Sequence, residues 1–277
     1  MSICVKNRIH KHQTILVAFR IAILALGVLS LTGCASYRTP GGGASFRSLG
    51  ITEQDVEEGT DHAIAMRLDR KPLASFPCSI AVVRVQGVGY RSHTAHGYGY
   101  GRFTVITNRD VESSDAFDTF RNLPGIRGIA PLNRMVLPEY LNDEADLRAA
   151  AAQVQAEMLL VYTVDTVFHV EEKLAPLSLI TLGLLPDDEA RVSSTVSAAL
   201  IDTRNGYVYG LAEASSLQTQ IANNWTSKAA IDQTRRRTEK EAFDKLVIEV
   251  ESMWRNVVDE YAPLEALVPK SSATEEG

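Results

Sequence analysis

In this 277-residue chain, the side chains best suited to metal binding or covalent chemistry are three cysteines and two closely spaced histidines. His93 and His96 could share a metal ion, but no Cys, Asp or Glu lies within several residues to complete a coordination shell. Cys78 has no neighbouring His or acid that would activate its thiol. The chain also lacks G-x-S-x-G, G-x-G-x-x-G and Walker-type motifs. We therefore predict no catalytic residue, no metal and no cofactor.

Tyrosines interleaved with glycines mark the segment 86–102, QGVGYRSHTAHGYGYGR, as the first candidate for binding. Tyrosine offers a large amphipathic contact area, and glycine lets a loop adapt to its partner. A mobile, functionless hairpin tip is the alternative. The apolar segment 174–186 is the second candidate, either as a core-covering loop or as a patch that binds a partner or dips into a membrane. The predicted partner-binding residues are Tyr90, His93, His96, Tyr98, Tyr100 and Leu182.

Cys34 ends an N-terminal pattern of basic, apolar and small residues. Lys6, Arg8, Lys11 and Arg20 precede the apolar run 21–31, which is shorter than the roughly 20 residues that span a membrane. The run closes with Leu31-Thr32-Gly33-Cys34. This pattern resembles the lipobox of bacterial lipoprotein precursors.

The resemblance implies that residues 1–33 are a signal peptide and that Cys34 becomes the acylated first residue of the mature chain, a palmitate-type membrane anchor. In that family an acidic residue after the cysteine favours the inner membrane. Ala35 and Ser36 follow here, so we expect the periplasmic side of the outer membrane.

The net negative charge of the mature chain disfavours binding to polyanions. Removing residues 1–33 removes four basic residues and leaves 24 Lys and Arg against 34 Asp and Glu, a formal charge of −10. Such a chain is repelled by nucleic acid and by anionic lipid headgroups, so we predict no nucleic-acid partner. The basic triplet Arg235-Arg236-Arg237 is accordingly expected to be a solvated helix face.

Periodicity predicts the order of elements that must position these residues. Helices are expected near 53–70, after Ser113 or Ser114, from Asn142, and from 226 or 227 to before Pro263, with the last one either broken or projecting its polar first half. Strands are expected at 78–85, 103–107, 126–130 and 158–168, the last of them central. Residues 192–202 alternate and lead into Asn205-Gly206, which predicts a type I′ hairpin with Leu200 facing Leu211 and Asp202 facing Tyr209.

These elements give a layout of signal peptide (1–33), lipidated cysteine and flexible linker (34–50), periplasmic domain (51–262) and disordered tail (263–277). The predicted fold class is α+β: a two-layer sandwich with a mixed sheet, an antiparallel hairpin and one long C-terminal helix. The residues 149–165, AAAAQVQAEMLLVYTVD, and 199–209, ALIDTRNGYVY, resemble the periplasmic α/β domain of several envelope proteins. These are the curli-secretion lipoprotein, the lipoprotein activators of penicillin-binding proteins and the N-terminal domain of the Tol-system propeller protein.

This resemblance implies fold more than function. Our leading hypothesis is a non-enzymatic accessory protein that binds an envelope partner whose identity the sequence does not give. The alternative is a self-assembling subunit of a secretion or envelope complex, like the curli-secretion lipoprotein, so a homo-oligomer stays open. The segment 174–186 lacks the alternation of pore-lining strands, which argues against a pore.

Overall fold

A computed structural model describes residues 41–45, 49, 60–171, 189–221 and 228–263. Cys34, Leu182, the segment 174–186, the signal peptide and most of the tail lie outside the described residues. The described helices are α1 (Thr60–Leu68), α2 (Ser114–Arg121), α3 (Glu144–Gln153) and α4 (Lys228–Tyr261). The described strands are β1 (Cys78–Gly87), β2 (Tyr100–Gly101), β3 (Phe103–Ile106), β4 (Ile126–Pro131), β5 (Tyr140–Leu141), β6 (Met158–Glu171), β7 (Glu189–Asp202) and β8 (Val208–Ile221).

The main sheet is mixed and has the order β3-β1-β6-β7-β8, with β4 also pairing with β1. β1 runs parallel to β4 and β6, whereas β6, β7 and β8 form an antiparallel meander. β6 lies at the middle of this order, as its dense apolar composition predicts. The mixed sheet, the hairpin and the long C-terminal helix confirm the predicted α+β fold class.

Helices cover the two faces of the sheet unequally. α2 and α4 bury Phe117, Phe120, Leu246 and Trp254 against one face. On the other face the short helix α3 packs Leu147, Ala150 and Ala151 against β1 and β6. α3 begins at a capping box, in which the Asp143 side chain and the Asp146 side chain each bind the other's backbone N–H group. α3 therefore adds a third layer over part of the sheet.

The β7–β8 hairpin exists as predicted, but its turn and register differ. Leu200 faces Gly210 rather than Leu211, and a bulge follows at Leu200/Ile201. Gly206 has a positive φ of 71°, whereas Asn205 does not have a positive φ. The buried Asp202 carboxylate accepts hydrogen bonds from the Arg204 N–H group, from the Leu73 N–H group and from the Tyr209 hydroxyl, each at 2.8 Å. These contacts fix a wider turn in place of the two-residue type I′ turn.

The long helix α4 is continuous over 34 residues, so the expected break is wrong. Its polar first half does not project either, because Arg235 and Glu239 are almost fully buried. At 1.5 Å per residue the helix is about 51 Å long. No helix in the described part of the chain is long and apolar enough to cross a membrane.

Candidate functional site

The tyrosine and histidine loop is a packed structure rather than a loosened tip. Tyr98 exchanges backbone hydrogen bonds with Val105 at 2.8 and 2.9 Å, which ties the loop to β3. Gly99 and Gly101 have φ values of 88° and 121° and lie directly against Leu141. A side chain at either position would be strained and would collide with Leu141. Gly99 and Gly101 therefore allow the loop backbone to pack closely against Leu141, and they do not make the loop flexible.

The predicted binding residues of this loop do not share one surface. Tyr90 is buried, and its hydroxyl accepts a hydrogen bond from Arg84 Nη2 at 3.1 Å, so its assignment to a contact surface is wrong. Tyr98 is half-buried, with the Arg134 guanidinium 5.3 Å from the ring centre. His93, His96 and Tyr100 are exposed.

Tyr100 retains an exposed aromatic contact. Its ring centre lies 6.2 Å from that of Tyr140, on the neighbouring short strand β5, and both side chains are 65% exposed. The two histidines are not joined by further ligands: the described residues contain no group of three or more His, Cys, Asp and Glu side chains that could hold a metal ion.

A buried ionic cluster lies between the sheet and the first half of α4. Arg84 Nη1 is 3.1 Å from Asp110 and 3.4 Å from Glu112. Arg235 donates to Asp232 at 3.0 Å and to Glu239 at 2.5 Å. The expectation that Arg235 belongs to a solvated helix face is therefore wrong, whereas Arg236 and Arg237 are exposed.

Neutral donors complete this cluster. The Tyr162 hydroxyl donates to Glu112 at 2.7 Å, and the Thr166 hydroxyl donates to Glu239 at 2.9 Å. Burial disfavours the charged form of Arg84, but Glu112, Tyr90 and Glu239 outweigh burial and raise the pKa of the guanidinium above its ordinary value. Burial, and then Glu112, raises the pKa of Tyr162 well above its ordinary value. The Arg84 guanidinium therefore stays charged, and the ion pairs and hydrogen bonds of the cluster join α4 to the sheet.

Cys78 is a core residue, as the sequence predicts. Its side chain is fully buried at the start of β1, and its thiol lies 3.9 Å from the Met158 sulfur. Burial, and to a smaller degree Glu157, raises the pKa of the thiol to about 12. Such a thiol is a poor nucleophile at neutral pH.

The open face is the surface of β6, β7 and β8 that lies opposite α4. It carries a cavity of about 430 Å³. Small and apolar side chains line most of it, including Val161, Ala199 and Leu211. Among the described lining residues, Glu213 provides the only carboxylate. It accepts a hydrogen bond from the Ser197 hydroxyl at 2.7 Å. No histidine or cysteine belongs to this described lining.

The segment 41–45 forms one wall of this cavity. The Ala44 N–H group donates to the Thr163 hydroxyl at 2.7 Å, and the Gly87 N–H group donates to the Gly42 carbonyl at 3.0 Å. Leu49 is buried and packs into the core cluster that α3 covers. The part of the predicted linker that the structure describes is thus bound to the domain.

Neither the open face nor the ionic cluster belongs to the sequence-predicted site. The alternation of Ser193, Thr195 and Ser197 indicates one polar side of β7, which is the signal for an uncovered face. For the cluster, the signal is Arg84 within the otherwise apolar run CSIAVVRVQG, because a cation on a buried strand needs buried partners. The partners themselves come from distant parts of the chain.

Comparisons with known proteins identify solved structures of low sequence identity. No protein-family model matches the chain, and no curated protein matches it. Among solved structures, the lipoprotein GNA1162 from Neisseria meningitidis matches with a TM-score of 0.27 and 15% identity, over 60% of this chain and 99% of that one. The hypothetical protein CT253 from Chlamydia trachomatis matches with a TM-score of 0.29 and 12% identity, over 65% of this chain and 98% of that one. Likeness of this degree carries no argument about function.

Proposed function

We propose that this chain is a lipid-anchored envelope protein that binds a partner through the open face and catalyses no reaction. The observation that carries the binding proposal is the cavity of about 430 Å³ between the docked segment 41–45 and the β6–β8 meander. Cavities of this size, mostly apolar with a few polar groups, are typical of binding sites. The anchor rests on Cys34 and its preceding residues.

The chemistry of the open face favours an apolar partner segment with one donor group. Leu211 is 62% exposed beside the cavity, and an apolar side chain entering there would cover it. The Glu213 carboxylate at the rim could accept a hydrogen bond from an amide or a basic side chain. A reaction is not favoured, because the lining offers Ser197 and Glu213 without a histidine or lysine to complete a nucleophile and base pair.

The lipid anchor and the outer-membrane location are tested by replacing Cys34 with serine in the full chain. We expect loss of acylation, an unprocessed precursor and loss of the mature protein from the outer-membrane fraction. Mature protein that still fractionates with the outer membrane after this change would contradict the lipid anchor. A matched Cys4→Ser variant should leave processing unchanged, because Cys4 belongs to the signal peptide.

The binding surface is tested by photo-crosslinking in cells. A photoreactive residue at Ser197 should capture one dominant envelope protein, whereas the same residue at Asp118, on the exposed side of α2, should not. A Ser197→Trp variant, which fills the cavity, should abolish capture from Glu213 without lowering the melting temperature. Equal capture from Ser197 and Asp118 would contradict the open face as the binding site.

A self-assembling subunit is the second candidate function. The observation that favours it is the edge of the described sheet, where the 14-residue strand β8 pairs with β7 alone. Long unprotected edges are templates for strand pairing with another chain.

A further inference from the structure

We propose that β8 pairs with β8 of a second copy of this chain in an antiparallel two-fold dimer centred on Ala214. This interface does not depend on the lipid anchor, and it shares Leu211 and Glu213 with the lining of the cavity on the open face, whereas Leu217 and Lys245 belong to the interface alone. The strand VYGLAEASSLQTQI contains one charged residue, Glu213, and no proline or lysine. It therefore lacks the residues with which proteins usually protect an edge.

The hydrogen-bonding pattern shows which backbone groups of β8 are turned towards the edge. The Asp202 N–H group donates to the Tyr207 carbonyl at 2.8 Å, so the even-numbered residues of β7 bond to β8. Their partners in the register, such as Gly210 opposite Leu200, are even-numbered residues of β8. In an antiparallel ladder the intervening residues point the other way. The N–H and C=O groups of Leu211, Glu213, Ser215 and Leu217 therefore face the edge of the sheet that the described strands form.

A direct contact supports this pattern. The Lys245 ammonium of α4 donates to the Ser215 carbonyl at 3.3 Å, reaching the edge from the helix side. A carbonyl has two lone pairs, so a second strand could share it.

The side chains select one register. Leu211 and Leu217 are 62% and 60% exposed, and both project from the open face. A two-fold axis at Ala214 places each Leu211 opposite the partner's Leu217, and each Glu213 opposite the partner's Ser215. Moving the axis to residue 213 would bring the two Glu213 carboxylates together, which is unfavourable. Moving it to residue 215 would leave Leu211 opposite a threonine.

Charge on the helix side is complementary in the same register. α4 runs antiparallel to β8, since Gln218 bonds to Glu241 while Gly210 lies against Met253. A groove of about 320 Å³ lies between residues 209–212 and α4, with Glu249 and Glu260 in its wall. The two-fold axis brings the partner's Lys245 level with Glu249. Two equivalent ion pairs would then flank the paired strands.

The experiment measures the mass of the full chain in detergent micelles, by sedimentation, at tens of micromolar. We expect a dimer, and we expect Leu211→Lys and Leu217→Lys each to raise the dimer dissociation constant at least roughly tenfold. Met135→Lys, at an apolar position away from β8 that is 89% exposed, should have no effect. A parent chain that is monomeric, or that forms larger rings or filaments, would overturn the proposal.

The register is tested by oxidation and by charge exchange. Residue 214 would meet its own copy in a non-hydrogen-bonded pair, with Cα atoms about 4.5 Å apart, which permits a disulfide. Ala214→Cys should form a disulfide-linked dimer, whereas Ala212→Cys should not. Lys245→Glu and Glu249→Lys should each weaken the dimer, and the double variant should restore it. Linkage through residue 212 in preference to 214, or no restoration in the double variant, would overturn the register.

Discussion

Arg84 of β1 and Asp110 form an ion pair of 3.1 Å in which the side chains are only 1% and 4% exposed. The pair belongs to a buried cluster of two arginines and four carboxylates, so each charge is stabilised by the others in place of water. Removing one partner of a buried pair leaves an uncompensated charge.

An Arg84→Met variant should therefore lose about 3–5 kcal/mol of unfolding free energy, as measured by urea denaturation. The matched control is Arg121→Ala, which breaks an ion pair of 2.7 Å whose side chains are 55% and 63% exposed. That change should cost less than about 1 kcal/mol. Equal losses in the two variants would contradict a structural role for the cluster.

The turn carboxylate of Asp202 gives a second prediction. Asp202→Ala removes the acceptor for three donors, of which two are backbone N–H groups. We expect a loss of about 2–4 kcal/mol, because buried donors without acceptors are costly. Asp202→Asn keeps the shape and one acceptor oxygen, so it should recover part of the loss. The measurement is thermal unfolding by circular dichroism, and an alanine variant as stable as the parent would count against this account of the turn.

Glycine at position 101 is required by backbone geometry. Gly101→Ala places a methyl group against the Leu141 backbone at a φ of 121°. We expect destabilisation by about 1–3 kcal/mol and faster hydrogen exchange of the Arg102 amide, which donates to the Leu141 carbonyl at 2.9 Å. Gly128→Ala is the control, since a side chain there would meet only the Ser79 hydroxyl at 3.8 Å. Similar effects at the two glycines would argue against a packed loop.

The Cys78 thiol should be inert in the folded protein. With its pKa raised to about 12, the thiolate fraction at pH 8 is of the order of 10⁻⁴. A Cys4→Ser, Cys34→Ser variant should therefore react with a disulfide reagent only after unfolding. Because burial raises this pKa in the folded state, the neutral thiol contributes stability below the ordinary thiol pKa, and that contribution declines as pH rises towards 12. Fast labelling of the native variant at pH 8 would contradict the buried position.

Much of the fold follows from local patterns in the sequence. The apolar run at 158–168 predicts a central strand, and β6 takes that place. Alternation over 192–202 predicts the hairpin, because a half-buried strand must repeat every two residues. The turn was less predictable, since Asn205-Gly206 favours a type I′ turn while the Asp202 carboxylate holds a wider one through Leu73, which is 129 residues away in sequence.

The candidate site was less accessible from the sequence. Tyr90 lies in a segment whose composition is typical of a contact loop. Its side chain is nevertheless buried, and its hydroxyl accepts a hydrogen bond from Arg84. Arg235 occurs in a basic triplet, and only the tertiary fold brings Asp110 and Glu239 beside it. Ion-pair partners that are far apart in the sequence produce no periodic pattern in it. Only the three-dimensional structure therefore identifies them. Cys34 and Leu182, which lie outside the described residues, stay predictions.

Because Gly43 and Ala44 are bound to β6, the distance between Cys34 and the folded domain is limited. Only residues 35–40 separate Cys34 from Gly41, and a chain of this length reaches at most about 25 Å when fully extended. An acylated Cys34 would thus confine the first β-bridge of the domain, Gly43 with Gln86, to a thin layer next to the lipid headgroups. A partner embedded in the peptidoglycan or the opposite bilayer would have to extend towards this layer, because the domain itself could not travel to meet it.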